Sequence, residues 1–163
     1  MLVTLNRVLE YAEANNQAIG AFNAILDYIV GDRALDFNYV TEGCFFEDEN
    51  VKITAIPTRH CLPRPSFAYL VEADGKRVLF TGDLRGDLSD MPAIATAEKL
   101  DVVICEAAHN RLDKASDILY ALNTDMLIIN HISPKNPESI STPFAQNAPF
   151  KCVISNDNDI IEV

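Results

Sequence analysis

No C-x-x-C pair occurs in the sequence, whose four cysteines, Cys44, Cys61, Cys105 and Cys152, are scattered. That spacing excludes a zinc knuckle and a disulfide framework and leaves buried or free thiols of a cytosolic protein. A basic run is missing too. Thirteen Lys and Arg stand against 24 Asp and Glu, a net charge of -11 spread along the chain, which argues against a phosphate-backbone footprint and disfavours nucleic acid as a partner. No apolar run is long enough to span a bilayer, and residues 1–17 interleave charges with apolar side chains, unlike a signal peptide. The chain is therefore expected to be soluble and cytoplasmic, with no membrane partner. Internal repeats, low-complexity segments and Gly/Ser linkers are also absent.

What remains is 163 residues, 48% of them apolar, which is one domain's worth of chain with a real core. Leu5, Val8, Leu9 and Ala12 follow Thr4 at helical spacing, so the periodicity predicts an amphipathic helix over 4–15. Residues 18–31 have a mixed period, compatible with a strand then a helix or with one buried helix interrupted at Gly20. From residue 51 the pattern changes to short β-type runs at 51–57, 66–73 and 76–82. Asp74-Gly75 between the last two predicts a hairpin over about 66–81, since both turn positions want a positive φ. After Asp83 the pattern predicts a helix in 89–100 capped by Ser89, a strand at 101–107, a helix at 112–123 and a strand at 125–131. A broken helical segment at 136–147 and a terminal strand pair, 150–156 with 159–163, complete it. Strands alternating with helices imply a layered α/β domain with polar strand ends available for chemistry. The one candidate boundary is the change of style near residues 30–40.

The three histidines have similar settings. His60 follows the strand VKITAIPTR, His109 follows VVICEAA, and His131 ends MLIIN, while Asp83 ends VLFTG. Packing does not ask for a carboxylate at the tip of an apolar strand. Imidazole and carboxylate groups along one rim of a sheet supply the neutral nitrogen and anionic oxygen that converge on divalent metals. Against this, a single histidine at a strand end is more often a hydrogen-bonded surface residue, and Gly-Asp after a strand is often a turn.

The order of these segments is specific. VKITAIPTRH, a hairpin, VLFTGD, DVVICEAAHN, MLIINHISPKN and the closing VISNDNDIIEV resemble the C-terminal half of the metallo-β-lactamase superfamily of metal-dependent hydrolases, over about residues 35–163. The resemblance implies an α/β (α+β) fold, half of an αββα sandwich: a mixed β-sheet with a hairpin and covering helices. It makes His60 a ligand of one metal, Asp83 a carboxylate bridging two, and His131 a ligand of the second, with zinc or another divalent transition metal as cofactor. Glu106 and His109 fall after the next strand, as supporting residues or additional ligands.

The family's H-x-H-x-D-H cluster has no counterpart, because no histidine precedes His60. Residues 1–24 instead resemble the opening of class II fructose-bisphosphate aldolases, a helix followed by the strand AIGAFN. The expected organisation is an aldolase-like helix and connecting segment over 1–34 and a metallo-β-lactamase-like half-domain over 35–163. Alone, such a chain is expected to be a poor hydrolase unless a second copy or a separate chain completes the site, and an apolar sheet face with nothing opposite favours a homodimer. Competing functions are a non-catalytic folded remnant or interaction module, and a nuclease or phosphodiesterase drawn from the likeness of INHISPKN to the end of tRNA-processing enzymes.

Overall fold

The structure is a computed structural model that describes residues 40–162. The expected helix over 4–15, the aldolase-like segment and the 34/35 boundary lie outside the described residues. Among the described residues seven strands and three helices follow one another: β1 (Gly43–Glu47), β2 (Val51–Thr58), β3 (Ser66–Ala73), β4 (Lys76–Phe80), α1 (Ile94–Ala97), β5 (Leu100–Ala107), α2 (Leu112–Tyr120), β6 (Thr124–Ile132), α3 (Glu138–Asn147) and β7 (Lys151–Ile154). The strands form one sheet in sequential order, β1 to β7. Pairing is antiparallel from β1 to β4 and parallel from β4 to β7. The fold is a mixed α/β fold, as the sequence predicts.

Local chemistry sets this order. Asp74 and Gly75 both take positive φ, 51° and 73°, the geometry of a tight turn whose twist matches the flanking strands. The β3–β4 hairpin is in register from Ala73↔Lys76 to Tyr69↔Phe80. Parallel strands cannot be joined so tightly, and each of the three parallel steps carries a helix. The helices share one face of the sheet, where Leu79, Val103, Cys105, Leu127 and Ile129 meet Leu112, Ala115, Leu119 and Phe144 in the main core. On the opposite face the register lines up Val71, Val78, Val102 and Met126 in one row and Tyr69, Phe80, Ile104, Ile128 and Val153 in the next. β5 and β6 are therefore apolar on both faces, which is why they read as continuous runs instead of alternating ones.

Four expectations need correction. β1 was not anticipated: it begins at Gly43 and exposes Phe45 and Phe46, so no buried alternation announces it. Ser89 caps no helix. The segment yields only the four-residue α1, capped from Ala93, because Pro92 and the positive φ of Leu88 commit residues 88–92 to turns. The segment at 136–147 is not broken, since α3 runs through Pro143. The lost backbone bond is offset by burial of Phe144 against the Tyr120 ring, centroids 5.0 Å apart, and by the Tyr120 hydroxyl donating to the Phe144 carbonyl at 2.7 Å. The terminal strand pair is absent. β7 is real, but 156–159 form a turn in which Asn156 N donates to Asp159 Oδ2 at 2.8 Å, and Ile160 is exposed.

All four cysteines are free thiols. Burial pushes Cys105 up to about 12 and Cys152 up to about 11, so neither is a nucleophile near neutral pH. Among the described residues no helix is long and apolar enough to cross a membrane.

Candidate metal centre

The C-terminal ends of β2, β4, β5 and β6 each deliver one chemically active side chain to the same rim. His60 lies two residues beyond β2, Asp83 three beyond β4, His109 two beyond β5, and His131 is the penultimate residue of β6. Among the described residues one group of three can hold a metal ion: His60, Asp83 and His109 each offer a ligand atom, and these atoms lie within 4.8 Å of one another. The His60 and His109 rings are edge to face, centroids 4.4 Å apart.

The hydrogen bonds fix which nitrogen each imidazole presents. His60 Nδ1 lies 2.9 Å from the Leu84 carbonyl oxygen. A carbonyl only accepts, so the proton sits on Nδ1 and Nε2 keeps its lone pair. His109 Nδ1 lies 3.0 Å from Glu106 Oε1, and the same reasoning leaves its Nε2 as the ligand atom. This pattern of imidazole held at one nitrogen by a carboxylate or carbonyl is how metal-binding histidines are oriented.

Glu106 is the hub. It is 2% exposed and sits at the penultimate position of β5. Its carboxylate accepts from Leu84 N at 3.2 Å, from His109 N at 3.0 Å and from Ala108 N, besides holding the His109 ring. Leu84 thus donates to Glu106 through its N–H and accepts from His60 through its carbonyl, so one residue couples the two imidazoles. Glu106 offers its oxygens to these donors and is absent from the group of close ligand atoms.

The loop after β4 is shaped by two glycines. Gly82 has φ +60°, and a Cβ there would stand 3.1 Å from the Phe67 carbonyl oxygen, so a side chain would be strained in conformation and tight in space. At Gly86 a Cβ would lie 2.8 Å from the His109 carbonyl oxygen. The Asp83 loop is thereby seated directly on the backbone of the His109 loop. We expect Gly86→Ala to displace His109 and to raise the zinc dissociation constant about tenfold, in the range for groups that orient ligands. Competition with a chromogenic chelator measures this, and an unchanged constant would mean that the contact does not hold His109.

His131 lies outside the close group of three. It is the extra residue of a bulge, since Glu106 pairs with Asn130 and Ala107 with Ile132. It also adopts φ +45°, the left-handed region that a side chain rarely enters. The bulge turns its ring to Asp83, with Nδ1 3.1 Å from Oδ1. Its side chain is 57% exposed, and it touches the three-residue group through Asp83 and through the His109 ring, edge to face with centroids 5.9 Å apart. The close group of three ligand atoms thus contains His109, with His131 bonded to Asp83 beside it.

Two residues that the sequence did not single out brace the rim. Asn136, 4% exposed, accepts from Leu112 N at 2.8 Å and donates to the carbonyls of Ala107 and Asn110 at 2.8 and 2.9 Å, joining the loops after β5 and β6. Asp90 ties the loops after β2 and β4. Neither gives a sequence signal, since each is one polar residue in a loop.

The donor set suits a divalent transition metal: two neutral imidazole nitrogens and one carboxylate, with a fourth position left to solvent or substrate, is the composition of open zinc sites. In a tetrahedral site bonds are about 2.0–2.2 Å and ligand atoms stand about 3.3–3.6 Å apart, so atoms as far apart as 4.8 Å must draw together on binding.

No protein-family model and no curated protein matches the chain. Among solved structures it is similar to zinc-bound PqqB from Methylobacterium extorquens, at 13% identity and a TM-score of 0.63, covering 90% of this chain and 59% of that one. It is similar also to the metallo-hydrolase Igni18 from Ignicoccus hospitalis (15%, TM-score 0.59, 83% and 64%) and to the metallo-β-lactamase fold protein YhfI from Bacillus subtilis (17%, 0.57, 72% and 52%). The fold is thus metallo-β-lactamase-like, and the chain spans between half and two thirds of these proteins' lengths.

Proposed function

We propose that the chain is a metallo-β-lactamase-superfamily, hydrolase-like protein in which His60, Asp83 and His109 bind one divalent metal ion, zinc by preference. The observation that carries this reading is the approach of three ligand atoms to within 4.8 Å, with both imidazoles held at Nδ1 by acceptors. When bound, such an ion polarises a carbonyl or phosphoryl oxygen and lowers the pKa of a bound water. The chain's own part is to hold the two Nε2 atoms and the carboxylate in place. His131, assigned by resemblance to a second metal, serves in this reading to orient the Asp83 carboxylate through Nδ1–H.

The domain is taken to span residues 35–163 and to follow an aldolase-like segment of separate origin. A second copy is the proposed partner; light scattering at micromolar concentration should give the dimer mass, and a clean monomer would remove it. With no H-x-H-x-D-H cluster in the sequence, turnover of β-lactam, thioester and phosphodiester substrates by the monomer is expected near background.

The test is metal content. Protein purified without chelator or nickel affinity should carry, or take up, one equivalent of zinc by mass spectrometry, and His60→Ala should lose it. Protein that excludes zinc under both conditions would favour the alternative reading of a folded, non-catalytic remnant.

A further inference from the structure

We propose that Asp90 is a positioning residue for this centre: its buried carboxylate clamps the two loops that carry His60 and Asp83. The inference rests on the metal-binding reading above and names a residue outside the ligand set. Asp90 is 7% exposed. Its Oδ2 accepts from Arg59 N at 2.7 Å and its Oδ1 from Arg85 N at 2.9 Å. Arg59 immediately precedes His60, and Arg85 follows Asp83 by two residues. One carboxylate therefore fixes the backbone beside two of the three ligands, with one oxygen committed to each.

Two further contacts and one strained turn belong to the same junction. Arg59 Nη2 donates to the Ser89 carbonyl at 2.7 Å, adding a second tie between the His60 loop and the residues around Asp90. His60 Nδ1–H reaches the Leu84 carbonyl, so the loops the carboxylate joins are those between which the imidazole must be held. Leu88, buried beside it, takes φ +53°, a conformation costly for a branched side chain, and this turn brings Asp90 back under Arg85. A buried carboxylate is expensive unless it is hydrogen-bonded. Two charge-assisted bonds to backbone N–H groups offset that cost, and the arrangement is specific to a carboxylate. An amide has one acceptor oxygen and would turn an N–H toward the other backbone donor.

The experiment compares Asp90→Asn with Asp101→Asn in the full chain. Asp101 accepts from Arg77 N at 2.9 Å, a bond of the same kind at the far end of β5, so its replacement controls for general loss of stability. Asp90→Asn should raise the zinc dissociation constant about 10- to 100-fold, the range for groups that orient ligands, and should alter the cobalt(II) d–d spectrum. Asp101→Asn should leave both unchanged. Equal zinc affinity and equal cobalt spectra in the two variants would overturn the proposal. A metal-independent readout separates it from the reading on which it rests. In metal-free protein, the imidazole 15N shifts of His60 should move in Asp90→Asn and stay in Asp101→Asn. If the unaltered chain binds no metal, the metal-binding reading fails, and these shifts still decide the role of Asp90: no change overturns it. Should Asp90→Asn not fold, Asp90→Ser carries the same readouts with one acceptor and no opposing N–H.

Discussion

Replacing His109 with alanine should weaken zinc binding by more than about a hundredfold, beyond the 10- to 100-fold range of residues that merely orient ligands. His109 supplies one of the three close ligand atoms found among the described residues, and its Nε2 is presented to the site because Nδ1 is held by Glu106. Its side chain is 36% exposed, so truncation should cost little stability and the apo melting temperature should stay within a few degrees of that of the unaltered chain. His131→Ala should act more mildly, since His131 braces the Asp83 carboxylate and the His109 ring and supplies none of the three close ligand atoms. Isothermal competition titrations of the two variants give the ranking. A reversed order, with His131→Ala the more damaging, would return the ligand role to the position assigned by resemblance.

Glu106→Ala should be damaging in both stability and binding. It removes the acceptor of three backbone N–H groups, those of Leu84, Ala108 and His109, at a residue 2% exposed. Leaving a buried donor unpaired costs about 1–3 kcal/mol, so the total is about 3 kcal/mol or more. For a chain of this length that corresponds to a fall in melting temperature of about 6–12 °C. Zinc affinity should fall as well, because the His109 tautomer is no longer fixed and Leu84 no longer links the imidazoles. Glu106→Gln keeps one acceptor and should fall between. Calorimetry on apo protein together with chelator competition measures both effects. A melting point within about 2 °C of the unaltered chain, less than 1 kcal/mol, would show that Glu106 is not the hub.

These effects depend on contacts of different legibility. The hairpin was readable because Asp74-Gly75 is a local signal, and β5 and β6 because strands buried on both faces must be continuous apolar runs. β1 was not, since an exposed edge strand carrying Phe45 and Phe46 needs no alternation. α3 was misjudged because Pro143 is a local breaker overridden by the packing of Phe144 on Tyr120, a tertiary event. The rim itself was visible in the sequence as four strands ending in His or Asp. What the sequence withheld was the geometry at the rim. The bulge at His131 depends on the pairing of β5 with β6, and the choice of His109 depends on where Glu106 aims it. Asp90 and Asn136 act on backbone groups of loops distant in sequence, a role any polar loop residue could fill and no spacing reveals.

The most direct measurement is a crystal of the protein soaked in zinc, with anomalous differences collected at the zinc edge. The account predicts one peak at bonding distance, about 2.0–2.2 Å, from His60 Nε2, His109 Nε2 and a carboxylate oxygen of Asp83. A peak held by His131 without His109, or full zinc occupancy elsewhere with this group empty, would contradict it.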